Sequence, residues 1–81
     1  MSHEGFNYAS GLVRMANQIA LFFATQSGQP APVGTAGHIK RFWDPRMRKA
    51  IVAHLDAGGE GLTPVARGAV EILKQESGKA A

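Results

Sequence analysis

The chain has 81 residues, no cysteine and a formal net charge of +3. This length allows a single small domain, and the lack of cysteine excludes disulfides, thiolate metal sites and a cysteine nucleophile. Hydrophobic residues make up 44% and charged residues 19% of the sequence, which indicates a globular chain with a lightly charged surface.

The first predicted element is an amphipathic helix. It starts at Ser10, the predicted N-cap, and ends near Gln26. Helical spacing places one group of apolar side chains on the same face, so we expect them to point into the core. These residues are Leu12, Met15, Ala16, Ile19, Phe22 and Phe23.

A loop and a short second helix follow. Residues 27–34 are predicted to form the loop, because their prolines and glycines disfavour a continuing helix. Thr35 is the predicted cap of the second helix, which runs to Trp43. Its spacing turns Ile39 and Phe42 toward the core.

Two further helices each begin with a capping residue followed by proline, a pattern typical of helix starts. The predicted cap positions are Asp44, Pro45, Thr63 and Pro64. The third helix is expected to end near Ala57 and the fourth near Gln75. Their inward-facing residues are Met47, Ile51 and Leu55 in the third helix, and Val65, Ala69, Ile72 and Leu73 in the fourth.

The pattern predicts an all-α fold, a small bundle of about four short helices. The single helical domain spans residues 10–75, and residues 1–9 and 76–81 are expected to be loosely ordered tails. The longest apolar segment, residues 19–24, is too short to span a bilayer, and the first nine residues lack a leader pattern. We therefore expect a soluble, cytoplasmic chain without a membrane partner.

The positive charge is concentrated in residues 38–49, the basic segment. Five cations stand there against Asp44 alone, a local charge of +4: Lys40, Arg41, Arg46, Arg48 and Lys49. The last three lie near the positive end of the third helix's dipole, where each misplaced cation costs about 0.3–1 kcal/mol. Such charge without visible compensation predicts a contact with phosphate or carboxylate groups of a partner. We expect Trp43 to pack on Arg48; the alternative is a solvated face over a core tryptophan.

The outer face of the first helix is a second candidate surface. It is rich in amides around Leu21, and its only charge is Arg14. Interface centres are poor in charge in this way, although a single exposed leucine is also common on ordinary surfaces. Together the two features predict a partner-binding surface formed by Asn17, Gln18, Leu21, Lys40, Arg41, Trp43, Arg46, Arg48 and Lys49.

No pattern for catalysis or metal binding is present. The histidines, His3, His38 and His54, lack the spacing of paired ligands on a helix, and the acidic residues are spread singly. The glycine-rich turns at 34–37 and 58–61 follow no predicted strand, so neither matches a phosphate-binding loop. We predict no catalytic residue, no metal ligand and no cofactor bound by this chain alone.

Two stretches together resemble a known family. They are residues 12–19 with Phe22 and Phe23, and residues 38–48 with the distinctive run RFWDPRMR. Over about residues 12–73 the chain is similar to the delta subunit of the cytoplasmic, molybdenum-dependent, NAD-linked formate dehydrogenases. The positions that carry over are Met15, Asn17, Gln18, Phe23, Arg41, Trp43, Asp44, Pro45, Arg46 and Arg48.

The resemblance implies an accessory role. In that family the alpha subunit carries bis-molybdopterin guanine dinucleotide and iron–sulfur clusters, the beta subunit holds FMN and handles NAD, and the gamma subunit carries further clusters. The delta chain has no redox centre, and its implied role is to bind the alpha subunit and support assembly or cofactor retention. We expect Arg46 and Arg48 to contact acidic groups or nucleotide phosphates on the alpha subunit.

The alternative is a small basic helical module that binds nucleic acid or the ribosome. It is suggested by Phe42 and Trp43, which are interleaved with the cations. The total charge is low for such a protein, and Pro45 interrupts any single recognition helix across the segment. We therefore expect no nucleic-acid partner.

Overall fold

The computed structural model describes residues 8–80, including the side chains of residues 8–77. This part of the chain forms four α-helices and no strand, which confirms the predicted all-α bundle. The helices are α1 (Tyr8–Ala24), α2 (Ala31–Phe42), α3 (Pro45–Asp56) and α4 (Pro64–Ala80). The most extensive packing joins α2 to α4 and to α1, and α3 packs on both α4 and α1. None of these helices has the length and hydropathy needed to cross a bilayer.

Helix α1 begins at Tyr8, two residues before the predicted cap. Ser10 therefore lies in the first turn, because Gly11, the residue of low helix propensity between it and the periodic segment, does not end the helix. The C-terminal end is tightened, since the N–H groups of residues 25 and 26 donate to carbonyls three residues earlier at 3.2 and 3.1 Å. Residues 1–7, with His3 and most of the predicted N-terminal tail, lie outside the described residues.

Helix α4 continues to Ala80, past the end predicted near Gln75. The apolar periodicity stops at Leu73, and for that reason the pattern alone indicated an earlier end. In the structure Glu76 forms an ion pair of 2.7 Å with Lys40 of α2, and this contact attaches the additional turn to the bundle.

Helix α2 begins four residues before its predicted cap, so the last part of the predicted loop is helical. The helix can start at Ala31 because Pro32 lies in the first turn, where the missing N–H leaves no helical hydrogen bond unmade. Thr35 is fully buried in the second turn and caps nothing. Its hydroxyl donates to the main-chain oxygen of Ala31 at 2.8 Å.

Both predicted helix starts after residue 43 are confirmed. The side chain of Asp44 accepts hydrogen bonds from the main-chain N–H groups of residues 46 and 47, at 2.9 and 3.1 Å. The hydroxyl of Thr63 accepts one from the N–H of Ala66 at 3.3 Å. The prolines that follow these caps, Pro45 and Pro64, are the first residues of α3 and α4.

The core combines larger apolar side chains with five alanines, which allow the helices to approach one another closely. Ile39, Ile51 and Val70 are the large apolar residues with no exposed surface. The other buried apolar residues are Leu12, Ala16, Ala20, Ala36, Trp43, Leu62, Ala66, Ala69 and Leu73.

Three large side chains that were expected to point inward lie on the surface instead. Met15 is 39% exposed, Phe22 58% and Phe42 67%. Only a narrow stripe of α1 is fully covered by the other helices, and the apolar arc predicted for α1 is wider than this stripe. The buried residues of α1 are Leu12, Ala16 and Ala20. The fold therefore leaves apolar surface on α1 and α2 that the sequence analysis had assigned to the core.

Candidate partner-binding surface

The basic segment spans the last turn of α2 and the first turns of α3. Lys40 and Arg41 lie at the C-terminal end of α2, where cations interact favourably with the helix dipole. The cations that the dipole disfavours are therefore those of α3, and its first turn contains no acidic residue. They are Arg46, Arg48 and Lys49.

Arg48 is compensated within the chain, so the prediction of an uncompensated charge is wrong at this position. Its Nη1 donates to the main-chain oxygen of Trp43 at 2.6 Å and more weakly to that of Lys40 at 3.4 Å. These carbonyls lie at the C-terminal end of α2, which carries partial negative charge. The guanidinium thus provides a hydrogen-bond donor for these carbonyl groups, and their partial negative charge stabilises the charge of Arg48.

Trp43 lies in the hydrophobic core, with only 5% of its surface exposed. The alternative interpretation, a core tryptophan beneath a charged face, therefore matches the structure. The hydrogen bond from Arg48 is made to the main-chain oxygen of Trp43. A partner that approaches the basic segment would not reach the indole ring of the folded chain.

The remaining cations of the segment differ in how they are engaged. Lys40 pairs with Glu76, and both side chains are about half exposed, so this ion pair adds little stability. Arg41 Cζ lies 6.0 Å from the ring centroid of Phe42, at the outer limit of a cation–π contact. Arg46 and Lys49 are exposed and form no side-chain hydrogen bond or ion pair with the residues that the structure describes. Their charges are available to a partner.

Asn17 connects α1 to the loop between α3 and α4. Its Nδ2 donates to the main-chain oxygen of Gly61 at 2.9 Å, and its Oδ1 accepts from the N–H of Thr63 at 3.0 Å. The amide predicted to bind a partner is thus occupied in holding the chain together. Gln18 and Leu21 are exposed, as the sequence indicated, and Leu21 is 68% exposed.

A row of rings that the sequence pattern did not predict joins α1 to α2. The rings of Phe22 and Phe23 meet edge to face at 5.1 Å, and Phe23 lies 6.2 Å from His38. His38 in turn lies 4.6 Å from Phe42. The signal in the sequence was the width of the apolar arc of α1, which exceeds what one helix face can bury in so small a bundle.

The histidine and acidic side chains, which could bind a metal ion or act in catalysis, are held apart in the fold. Within the described residues, no three histidine or acidic side chains are grouped so that they could hold a metal ion. His54 is half-buried, and its Nε2 donates to the main-chain oxygen of Glu60 at 2.8 Å.

A comparison with known families is consistent with the resemblance carried by the RFWDPRMR run. Residues 11–70 match the family described as NADH-dependant formate dehydrogenase delta subunit FdsD. Neither the curated proteins nor the solved structures gave a match. The matched region includes α2, α3 and the whole basic segment. Because it covers well over half of the chain, this protein belongs to the FdsD family of formate dehydrogenase delta subunits.

Proposed function

We propose that this chain is a non-catalytic accessory subunit that binds the alpha subunit of an NAD-dependent molybdenum formate dehydrogenase in the cytoplasm. The observation that carries the proposal is the family match over residues 11–70. In this role the chain supports assembly of the complex or retention of its cofactors. Bis-molybdopterin guanine dinucleotide, iron–sulfur clusters, FMN and NAD are then held by the alpha, beta and gamma subunits.

The use of the polar side chains supports binding in preference to catalysis. Asp44, Thr63, Asn17 and His54 all form hydrogen bonds with main-chain groups of this chain. A general acid or base has to be free to exchange a proton with a substrate, and the two titratable side chains among these, Asp44 and His54, are used to fix a helix start and a loop.

We assign the contact with anionic groups of the alpha subunit to the exposed cations of α3. The sequence predicts that contact for Arg46 and Arg48, but Arg48 is engaged with the end of α2. Lys49 replaces it, because Lys49 and Arg46 are exposed and form no ion pair with the described residues. Their counterparts are carboxylates or nucleotide phosphates on the alpha subunit, where desolvation at the interface strengthens the attraction.

Affinity purification of the chain from cells that produce the whole dehydrogenase tests the proposed complex. We expect alpha, beta and gamma subunits in the eluate by mass spectrometry, together with molybdenum and iron by elemental analysis. The affinity tag alone serves as the control. A chain that elutes by itself, or with nucleic acid or ribosomal proteins, would contradict the proposal, and the second result would favour the alternative module.

The accessory role is tested by producing the dehydrogenase with and without this chain. If the chain supports assembly, the molybdenum content per alpha subunit is lower from the start when the chain is missing. If it supports retention, the content is equal at first and falls faster on dilution and storage. Equal content and equal decay in both preparations would argue against either role.

A further inference from the structure

An apolar line runs along the surface of α1. Tyr8, Met15 and Phe22 recur every seven residues, so they stack along one side of the helix, close to its axis direction. Tyr8 and Phe22 are each more than half exposed, and Met15 is more than one-third exposed. The line extends over about 20 Å, the rise of fourteen residues in an α-helix.

This line continues onto α2 through the rings described above. Phe22 contacts Phe23, which contacts His38, which contacts Phe42 at the C-terminal end of α2. Phe42 is the second most exposed large apolar residue of the described chain after Leu21. We call this surface the apolar track; it consists of Tyr8, Met15, Phe22, Phe23, His38 and Phe42.

Gly11 leaves open space beside the track. It lies three residues after Tyr8 and four before Met15, on the same side of α1. A Cβ atom at Gly11 would meet nothing within 4 Å. Glycine inside a helix costs about 1 kcal/mol relative to alanine, and nothing in the free chain requires it here. A partner's side chain or backbone could approach α1 closely at this point.

The charges around the track indicate the chemistry of its partner. Helix α1 contains no acidic residue, and its single charge is Arg14. At the other end of the track, Arg41 lies beside Phe42 and forms no ion pair with the described residues. A second copy of this chain would offer no carboxylate from α1 or α2 to pair with Arg41. An apolar surface that carries carboxylates fits better, because it buries the rings and neutralises Arg41.

We infer that the apolar track is the surface by which this chain docks on the alpha subunit, against an apolar patch with at least one carboxylate opposite Arg41. This inference rests on the proposed function and deepens it by naming the surface and its complement. It also distinguishes two sides of α1, because Leu21 points about 100° away from Phe22 around the helix. The side with Leu21 remains in solvent, whereas Gln18, three residues after Met15 and four before Phe22, lies beside the track.

The test compares variants of the full chain for binding to the purified alpha subunit. Phe22→Gln and Phe42→Gln each remove one exposed ring, and Arg41→Glu reverses the charge. Leu21→Gln is the matched control, since it removes a side chain at least as exposed as Phe22 from the preceding position of the same helix. We expect the three track variants to raise Kd about tenfold or more each, and the control to change it less than about twofold.

Circular dichroism and thermal unfolding of each variant establish that the fold is kept, as expected for exposed positions. If Phe22→Gln fails to fold, Phe42→Gln on the other helix decides the question. Unchanged binding by the track variants overturns the inference. Loss of binding only in Leu21→Gln also overturns it and places the interface on the side of α1 that carries Leu21; the proposed function stands in both cases. If the unsubstituted chain does not bind the alpha subunit, the proposed function itself fails. Concentration-dependent dimers that Phe22→Gln disrupts would show a second copy on the track and would also overturn the inference.

Discussion

Arg48 and Arg67 hold the same position in consecutive helices, the fourth residue of α3 and of α4, and both donate to main-chain carbonyls near the end of the preceding helix. Arg48 reaches the oxygen of Trp43 at 2.6 Å, directly after α2. Arg67 reaches the oxygens of Gly58 and Gly59, both at 3.1 Å, shortly after α3. The similar start signals of the two helices therefore have a common structural effect: each cap and proline positions an arginine over main-chain carbonyls at the end of the previous helix or just after it.

This relationship predicts that Arg48 contributes to stability and that its neighbour Arg46 does not. Arg48→Met should lower the free energy of unfolding by about 1–3 kcal/mol, because the carbonyls at the end of α2 lose a charged donor. Arg46→Met removes the same charge from an exposed site and should change it by less than about 0.5 kcal/mol. Urea denaturation of the two variants measures the difference, and equal effects would contradict the capping role of Arg48.

Asn17 should be required for stable attachment of the loop between α3 and α4 to α1. Asn17→Ala removes both of its hydrogen bonds and should cost about 1–3 kcal/mol of unfolding free energy. Asn17→Asp keeps an acceptor for the N–H of Thr63 but loses the donor to Gly61, so its cost should be intermediate. Gln18→Ala, at the exposed neighbouring position, is the control for helix propensity. Denaturation midpoints in which Asn17→Ala equals this control would rule out the attachment role.

Two glycines of α2 should respond in opposite directions to alanine. A Cβ at Gly37 meets nothing within 4 Å, so Gly37→Ala should stabilise the helix by up to about 1 kcal/mol. A Cβ at Gly34 would lie 2.5 Å from the ring of Phe23, so Gly34→Ala should destabilise the contact between α1 and α2. Thermal unfolding should show the first variant with a higher midpoint than the parent chain and the second with a lower one. Shifts of the same sign would contradict this account of their packing.

The exposed cations of α3 should lower the unfolding free energy of the free chain and increase its affinity for the alpha subunit. Arg46→Gln combined with Lys49→Gln should raise the unfolding free energy of the free chain by about 0.3–1 kcal/mol, because the positive end of the helix dipole no longer faces added cations. The same variant should bind the alpha subunit less tightly and with a weaker dependence on salt. Arg14→Gln combined with Lys74→Gln, which removes two exposed cations from α1 and α4, is the control for total charge. If both variants alter binding equally, the contact is not specific to α3.

The helix starts could be predicted because they depend on adjacent residues. Asp44 followed by Pro45 specifies a cap and a first turn without reference to the rest of the fold, and the structure has both. The start of α2 could not be predicted in this way. Its N-cap position is Pro30, which makes no side-chain capping hydrogen bond, so no capping residue marks this start in the sequence.

The candidate surface was predicted only in part for a related reason. Charge position along the sequence located the basic segment, but the compensation of Arg48 depends on how the end of α2 meets the start of α3. Periodicity likewise identified an apolar arc on α1 without showing which sector the other helices cover. Met15 and Phe22 lie in the uncovered sector, and for this reason the apolar track emerged only from the packed structure.

Hydroxyl-radical footprinting of the chain, alone and bound to the alpha subunit, tests the central claim most directly. Methionine and aromatic side chains react readily, and their labelling reports solvent exposure residue by residue. The account predicts that labelling of Met15, Phe22 and Phe42 falls several-fold in the complex while labelling of Leu21 is unchanged. Equal labelling of the three track residues with and without the alpha subunit would contradict it.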